Sequence, residues 1–274
     1  MNMYDPKAPT SIDEHSRAAE LDGSEWPFAS GTPGLEPWQV HLWSATQREF
    51  SSHSDRLWPV LSEDEQAKSQ RFRSAQDRSW YVTRHGLLRR ILSWYLQQDA
   101  SEIKFSVGAN GKPEIDGQIQ IAGQRAPLYF NASDSGEIVV WAITAACPVG
   151  VDIECMRTIP DIEQIASRFF SPRETRTLMS LPADSRLGAF YACWTRKEAF
   201  LKATGEGITQ NLAKVEVTLA PGEEPKVLTV SEDSRQDQPW QLRPFSPAPG
   251  YLGCLAYRHT SLALSQYRIP LSFV

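Results

Sequence analysis

Hydrophobic positions first become periodic near Trp38, where WQVHLWSA alternates apolar and polar residues as a half-buried strand does. Upstream, residues 1–36 mix Pro, Ser, Gly and acids without a period, which predicts a flexible N-terminal tail. Ser62 with Glu65 three places on is a capping-box signature, so SEDEQAKSQRF predicts a short helix. A longer helix is predicted from about Asp77 to Gln97, because Trp80, Leu87, Leu88, Ile91, Leu92 and Tyr95 recur at helical spacing. FSVGANGKPEI carries a Gly-Lys-Pro turn between short strand-like runs. PLYFNAS and EIVVWAITAA predict two strands split by Asp134-Ser135-Gly136, and PVGVDIE enters a third.

The second half repeats this plan loosely. DIEQIASRFF is amphipathic, SPRETRTLMSL begins with a Ser-Pro-x-Glu cap, and a long helix runs from about Ser185 to Ala203 before Gly205 and Gly207 end it. VEVTLA, KVLTV, WQLRPF and LGCLAYRH follow as strand-like runs. The pattern predicts an α+β fold of two similar α/β halves, 37–148 and 149–274, related by a pseudo-twofold with the active site in the cleft between them.

Composition narrows the class of partner. A net charge of −5 provides no global basic field for nucleic acid, so none is expected. No stretch approaches the ~20 apolar residues that span a bilayer, and no signal peptide precedes the first acids. The four cysteines, Cys147, Cys155, Cys193 and Cys254, form neither a CxxC site nor a dense disulfide pattern, so a reducing, cytoplasmic setting is expected. The five histidines form no HExxH or clustered ligand set, and the chain has neither a GxSxG elbow nor a Walker loop.

Two segments carry candidate chemistry. Asp152 and Glu154 sit two apart in GVDIE, and strand alternation puts both carboxylates on one face, where a hard divalent cation would relieve their repulsion. An isolated Asp-x-Glu is, however, most often a solvated strand end. In WTRKEAFLK, Leu187, Tyr191, Trp194 and Glu198 are spaced four, three and four, so Glu198 continues an apolar stripe, with Lys202 one turn on. Alone, that pair is an ordinary exposed Glu-to-Lys contact. Taken together, three carboxylates with Lys197 and Lys202 suit a metal-bound diphosphate.

GVDIE, followed by WTRKEAFLK and a Gly-rich stop, resembles the paired signature of the Sfp-type 4′-phosphopantetheinyl transferases. RFRSAQDRSWYVTRHGLLRRIL, the Gly-Lys-Pro turn, FNAS and RFFSPRE extend the likeness over roughly residues 60–220. The resemblance implies transfer of the 4′-phosphopantetheine group from coenzyme A to a serine of an apo acyl or peptidyl carrier protein, by a monomer using Mg²⁺, with Mn²⁺ as the alternative. It implies Asp152, Glu154 and Glu198 as metal ligands, Glu198 as general base, and Lys202 as the group that binds the diphosphate and protonates the leaving group. Lys68, Lys112, Asn131, Ser133, Asp134 and Lys197 are implied around the coenzyme, with Trp194 in support. One position departs from the family, which usually has His where this chain has Asp134. An acid beside a polyanion repels it. The rival readings are a silent carrier-binding relative and a metal-dependent nucleotide diphosphate hydrolase.

Overall fold

The computed structural model describes residues 25–31, 33–108, 111–115, 117–121, 123–206, 212–230, 239–260 and 262–274. Strand β1 (Gln39–Thr46) leads through two single-turn helices, Gln47–Phe50 and Ser54–Leu57, to α1 (Glu63–Ser69) and α2 (Ala75–Leu96). The capping box at Ser62 and Glu65 forms as expected, each donor satisfied by the other residue's side chain. Two hairpins follow, β2 (Phe105–Val107) with β3 (Pro113–Ile115) and β4 (Gln118–Ile121) with β5 (Gln124–Pro127). Then come β6 (Tyr129–Ser135), β7 (Ile138–Thr144) and β8 (Val149–Cys155). The helices α3 (Ile162–Phe169), α4 (Pro172–Ser180) and α5 (Ala183–Thr204) precede β9 (Val215–Val217), β10 (Val227–Val230), β11 (Trp240–Phe245), β12 (Tyr251–Arg258) and β13 (Ala263–Arg268).

The expected α+β pseudo-repeat is visible in the strand order. In the first half β1 pairs antiparallel with β7, and β7 with β6; in the second, β8 pairs with β12, and β12 with β11. With β13 set aside, each half thus places its first strand beside its last and its last beside its penultimate. Buried side chains of both sheets, among them Leu42, Val140, Val151, Ile153, Leu255 and Tyr257, form one shared cluster, so the halves are joined by a common core. Helix α2 covers the first sheet through Leu87, Ile91 and Leu92, and α5 covers the second through Ala199, Phe200 and Ala203.

Two boundaries differ from the expectation. Trp26 is 4% exposed and donates its indole N–H to Ser246 O at 3.2 Å, so packing begins by Trp26 rather than after residue 36. The rest of the expected tail, residues 1–24, lies outside the described residues. The division at 148/149 is also incomplete, because β13 leaves the second half and pairs parallel with β1, Gln39 opposite Ala263. A free β1 edge would expose unpaired backbone groups, and the last strand covers it.

The β6 and β8 edges meet without a backbone ladder. Instead, β8 N–H groups bond to side chains that alternate along β6: Val151 N–H to Asn131 Oδ1 at 2.8 Å, Ile153 N–H to Ser133 Oγ at 3.3 Å and Cys155 N–H to Ser135 Oγ at 3.0 Å. Short polar side chains therefore satisfy the edge of one sheet from the edge of the other.

Candidate active site

The seam between the halves gathers most of the expected residues. Asp152 is 4% exposed, and its Oδ1 accepts from Ser133 Oγ at 2.8 Å and Lys202 Nζ at 2.6 Å. Lys202 also donates to Ser133 Oγ at 3.0 Å. Two places along β8, Glu154 Oε2 accepts from Ser135 Oγ at 2.8 Å. Glu198 reaches the cluster from α5 and is 7% exposed.

How closely the strand and helix approach is set by Gly150. A Cβ there would lie 2.0 Å from Ala199 O and 2.4 Å from Ala203 N, so any other residue would push α5 off β8. Glycine lets the strand bearing Asp152 and Glu154 lie directly under the helix bearing Glu198 and Lys202.

Burial and neighbouring charge perturb all three carboxylates. Burial pushes Asp152 up from the usual carboxylate range, opposed by Lys202 and Ser133. Burial also raises Glu154, aided by the charge of Asp152 and opposed by hydrogen bonds from Ser135 and the Trp194 indole. Glu198 is pushed up to about 7, by burial first and then by repulsion from Asp152 and Glu154, against the pull of Lys202.

Among the described residues no group of three or more His, Cys, Asp and Glu side chains is gathered tightly enough to hold a metal ion. The Lys202 ammonium occupies Asp152 Oδ1. Two observations still fit a hard cation. Asp152 Oδ2 is buried with no hydrogen-bond partner among the described residues, and Glu198 is within electrostatic range of both other carboxylates.

The remaining expected residues divide. Lys112 Nζ caps the end of α5 and the start of β8, donating to Val149 O at 3.0 Å and Ala203 O at 3.4 Å. It lines a cavity of about 350 Å³ with Gly108, Tyr129, Phe130, Thr204 and Gly205. Burial lowers its pKa. Lys68 is exposed on α1, its Nζ 5.7 Å from the Tyr81 ring centre. Asn131 spends its carboxamide oxygen on the seam. Asp134 is ion-paired with Arg84 of α2.

Lys197 does not belong to the site. It is fully buried, pairs with Glu174 Oε2 at 2.5 Å, donates to Leu212 O at 2.9 Å and lies 5.1 Å from the Phe170 ring centre. One residue along a helix turns a side chain by ~100°, so Lys197 enters the core while its neighbour Glu198 faces the seam. Sequence reasoning also missed Ser135 and Gly150. The alternation of Asn131, Ser133 and Ser135 on one strand was a readable signal for the first, and a glycine inside a buried strand for the last.

The chain is similar to known proteins along most of its length. Residues 41–146 match the family described as 4′-phosphopantetheinyl transferase, N-terminal, and residues 148–254 match the 4′-phosphopantetheinyl transferase superfamily. The 4′-phosphopantetheinyl transferase HetI of Nostoc sp. is 37% identical over 191 residues, covering 70% of this chain and 78% of the relative. The 4′-phosphopantetheinyl transferase Sfp of Bacillus subtilis is 30% identical over 206 residues, 75% of this chain and 86% of the relative. The human L-aminoadipate-semialdehyde dehydrogenase-phosphopantetheinyl transferase is 25% identical over 234 residues, 80% and 70% of the two chains.

Proposed function

The chain belongs to the Sfp-type 4′-phosphopantetheinyl transferase family, and we propose that it transfers the 4′-phosphopantetheine group of coenzyme A to a serine of an apo acyl or peptidyl carrier protein, releasing 3′,5′-ADP. The observation that supports this most directly is the meeting of Ser133, Asp152 and Lys202 at the seam, with Glu198 in electrostatic range.

In this reading the serine oxygen forms a bond to the β-phosphorus of the coenzyme while the bond from that phosphorus to the bridging oxygen of 3′,5′-ADP breaks. Glu198 takes the serine proton, since a carboxylate raised toward neutrality by burial is a competent base. Lys202, held by Asp152 and Ser133, offsets charge on the departing diphosphate oxygen and donates a proton to it. Asp152 Oδ2, Glu154 and Glu198 would hold Mg²⁺ or Mn²⁺, which when bound neutralises diphosphate charge. Lys112 and the cavity beside it suit the adenosine end of the coenzyme.

The test is direct. The protein is incubated with coenzyme A, Mg²⁺ and an apo carrier protein, and the carrier is weighed. The expected product is a carrier heavier by one phosphopantetheine group. An unchanged carrier mass refutes transfer, and release of 3′,5′-ADP with no carrier present identifies a hydrolase instead.

A further inference from the structure

A cavity of about 660 Å³ opens in the second half, between the N-terminal part of α5, the loop joining β9 to β10, and strands β11 and β12. None of its lining residues belongs to β6 or β8, and neither Glu198 nor Lys202 borders it. Its volume falls within the ~300–1,000 Å³ typical of small-molecule sites. The walls are mostly apolar. Gly188 and Ala192 of α5 form one side, and Leu219, Pro221, Leu242 and Leu252 supply much of the rest.

A buried cation faces this space. Arg196 is 7% exposed, and its Nη1 donates to the carbonyl and hydroxyl oxygens of Thr218. Its Nε and Nη2 have no hydrogen-bond partner among the described residues. These two nitrogens are not sealed inside protein, unlike the unpartnered Nε of Arg84 and of Arg90. Arg196 lines the cavity, so the open edge of its guanidinium borders it. The Nε–H and one Nη2–H of a guanidinium project side by side and match the two oxygens of a carboxylate. Burial pushes the Arg196 pKa down, against the pull of Cys254, Cys193 and Glu223. The chain's own acids leave this fork open: Glu223 Oε2 accepts from Ala220 N–H at 3.0 Å, and Glu224 is ion-paired with Lys226 at 2.7 Å.

We propose that the cavity binds a monocarboxylate with an apolar body, its carboxylate clasped by Nε and Nη2 of Arg196 and its hydrocarbon laid along α5. Charge selects the class of ligand. One guanidinium edge matches one carboxylate, and the cavity's other arginine, Arg243, is already engaged within the protein. Asp184, Glu223 and Glu224 are exposed and line the same cavity, so they repel a dianion such as phosphate more than a monoanion.

Octanoate and 1-octanol, alike in chain and different in charge, are titrated calorimetrically into wild type, Arg196→Gln and Gly188→Leu. Octanoate should bind at one site per chain, and octanol about tenfold or more weakly, the scale of lost charge-assisted hydrogen bonds. Arg196→Gln should remove that difference. Because Arg196 is buried and anchored to Thr218, its replacement can unsettle the fold, so Gly188→Leu forms an independent arm. A Cβ at Gly188 meets nothing within 4 Å, so the larger side chain enters the cavity and should abolish octanoate binding without lowering the thermal midpoint. Saturating coenzyme A should leave octanoate affinity unchanged, since the seam residues lie outside the cavity. Absence of saturable octanoate binding, equal affinities for octanoate and octanol, or full binding by folded Gly188→Leu overturns the assignment. Displacement of octanoate by coenzyme A overturns it as well, by placing the acid in the coenzyme's own site.

Discussion

Gly150→Ala places one methyl group where the structure has no room for it. The added Cβ would lie 2.0 Å from Ala199 O, 2.4 Å from Ala203 N and 3.0 Å from Ala203 Cα. Carbon contacts are comfortable only from about 3.5 Å, so strand and helix must part by on the order of 1 Å. The obstructing atoms are backbone, and no side chain can rotate aside to absorb the change. Overpacking of this kind costs about 1–3 kcal/mol, and a misplacement of ~1 Å in reacting groups costs ~10²-fold in rate. The helix that moves carries Glu198 and Lys202, and the strand carries Asp152 and Glu154, so the loss should fall on turnover as well as on stability. Turnover of an apo carrier and the thermal midpoint are measured together. The expected outcome is a rate lower by about 10²-fold and a midpoint lower by roughly 2–10 °C. Gly188→Ala, on the same helix, is the control: its Cβ would meet nothing within 4 Å. That substitution should stabilise by about 0.5–1 kcal/mol through helix propensity and leave the rate intact. Full activity and an unshifted midpoint in Gly150→Ala would refute the claim that close approach assembles the site.

Glu198→Gln should leave coenzyme A binding largely intact while cutting turnover by roughly 10²-fold or more, and near-normal turnover would remove Glu198 from the base role. Asp152→Ala removes the orphaned Oδ2 and should raise the magnesium requirement steeply; an unchanged magnesium titration of carrier modification would count against the ligand assignment. The carboxyl of Glu65 is held at about 2, because His85, the Ser62 N–H and Arg89 together outweigh the upward push of burial. A folded pKa below the unfolded value contributes stability above pH ~4.5 that is lost as pH falls toward 2; with allowance for solvent screening this amounts to about 1–2 kcal/mol. Denaturation of wild type and Glu65→Gln between pH 5 and 2.5 should converge as the pH falls, and parallel curves would contradict the ion-pair account.

The helices and most strands were legible because their periods are strong and their caps local. Ser62, Glu65, Ser171 and Glu174 announce two helix starts through pairs three residues apart, and both boxes form. Strand β13 and its pairing were not legible, since ALSQYR does not alternate apolar and polar residues and was not among the runs read as strands. The buried Trp26 was hidden in a segment whose composition resembles a tail. Within the site, face and stripe arguments made Asp152, Glu154 and Glu198 candidates, and the family resemblance supplied their expected roles. Lys197 could not be separated from Lys202 without knowing that Glu174, upstream on α4, waits to pair with it in the core.

The seam explains why site and fold cannot be varied independently. Backbone pairing between β6 and β8 would have joined the halves more simply, but it would have left no polar side chains between them. With Asn131, Ser133 and Ser135 taking the β8 N–H groups, the hydroxyls of Ser133 and Ser135 still have a proton to give, and they give it to Asp152 and Glu154. Each serine thereby joins the halves and orients one acid with the same oxygen. Asp152 is divided in the same way: Oδ1 is committed to Ser133 and Lys202, and Oδ2 is left without a protein partner. Ser133 and Ser135 reach Asp152 and Glu154 only across the docked sheets, so the complete site is a property of the joined halves rather than of either one.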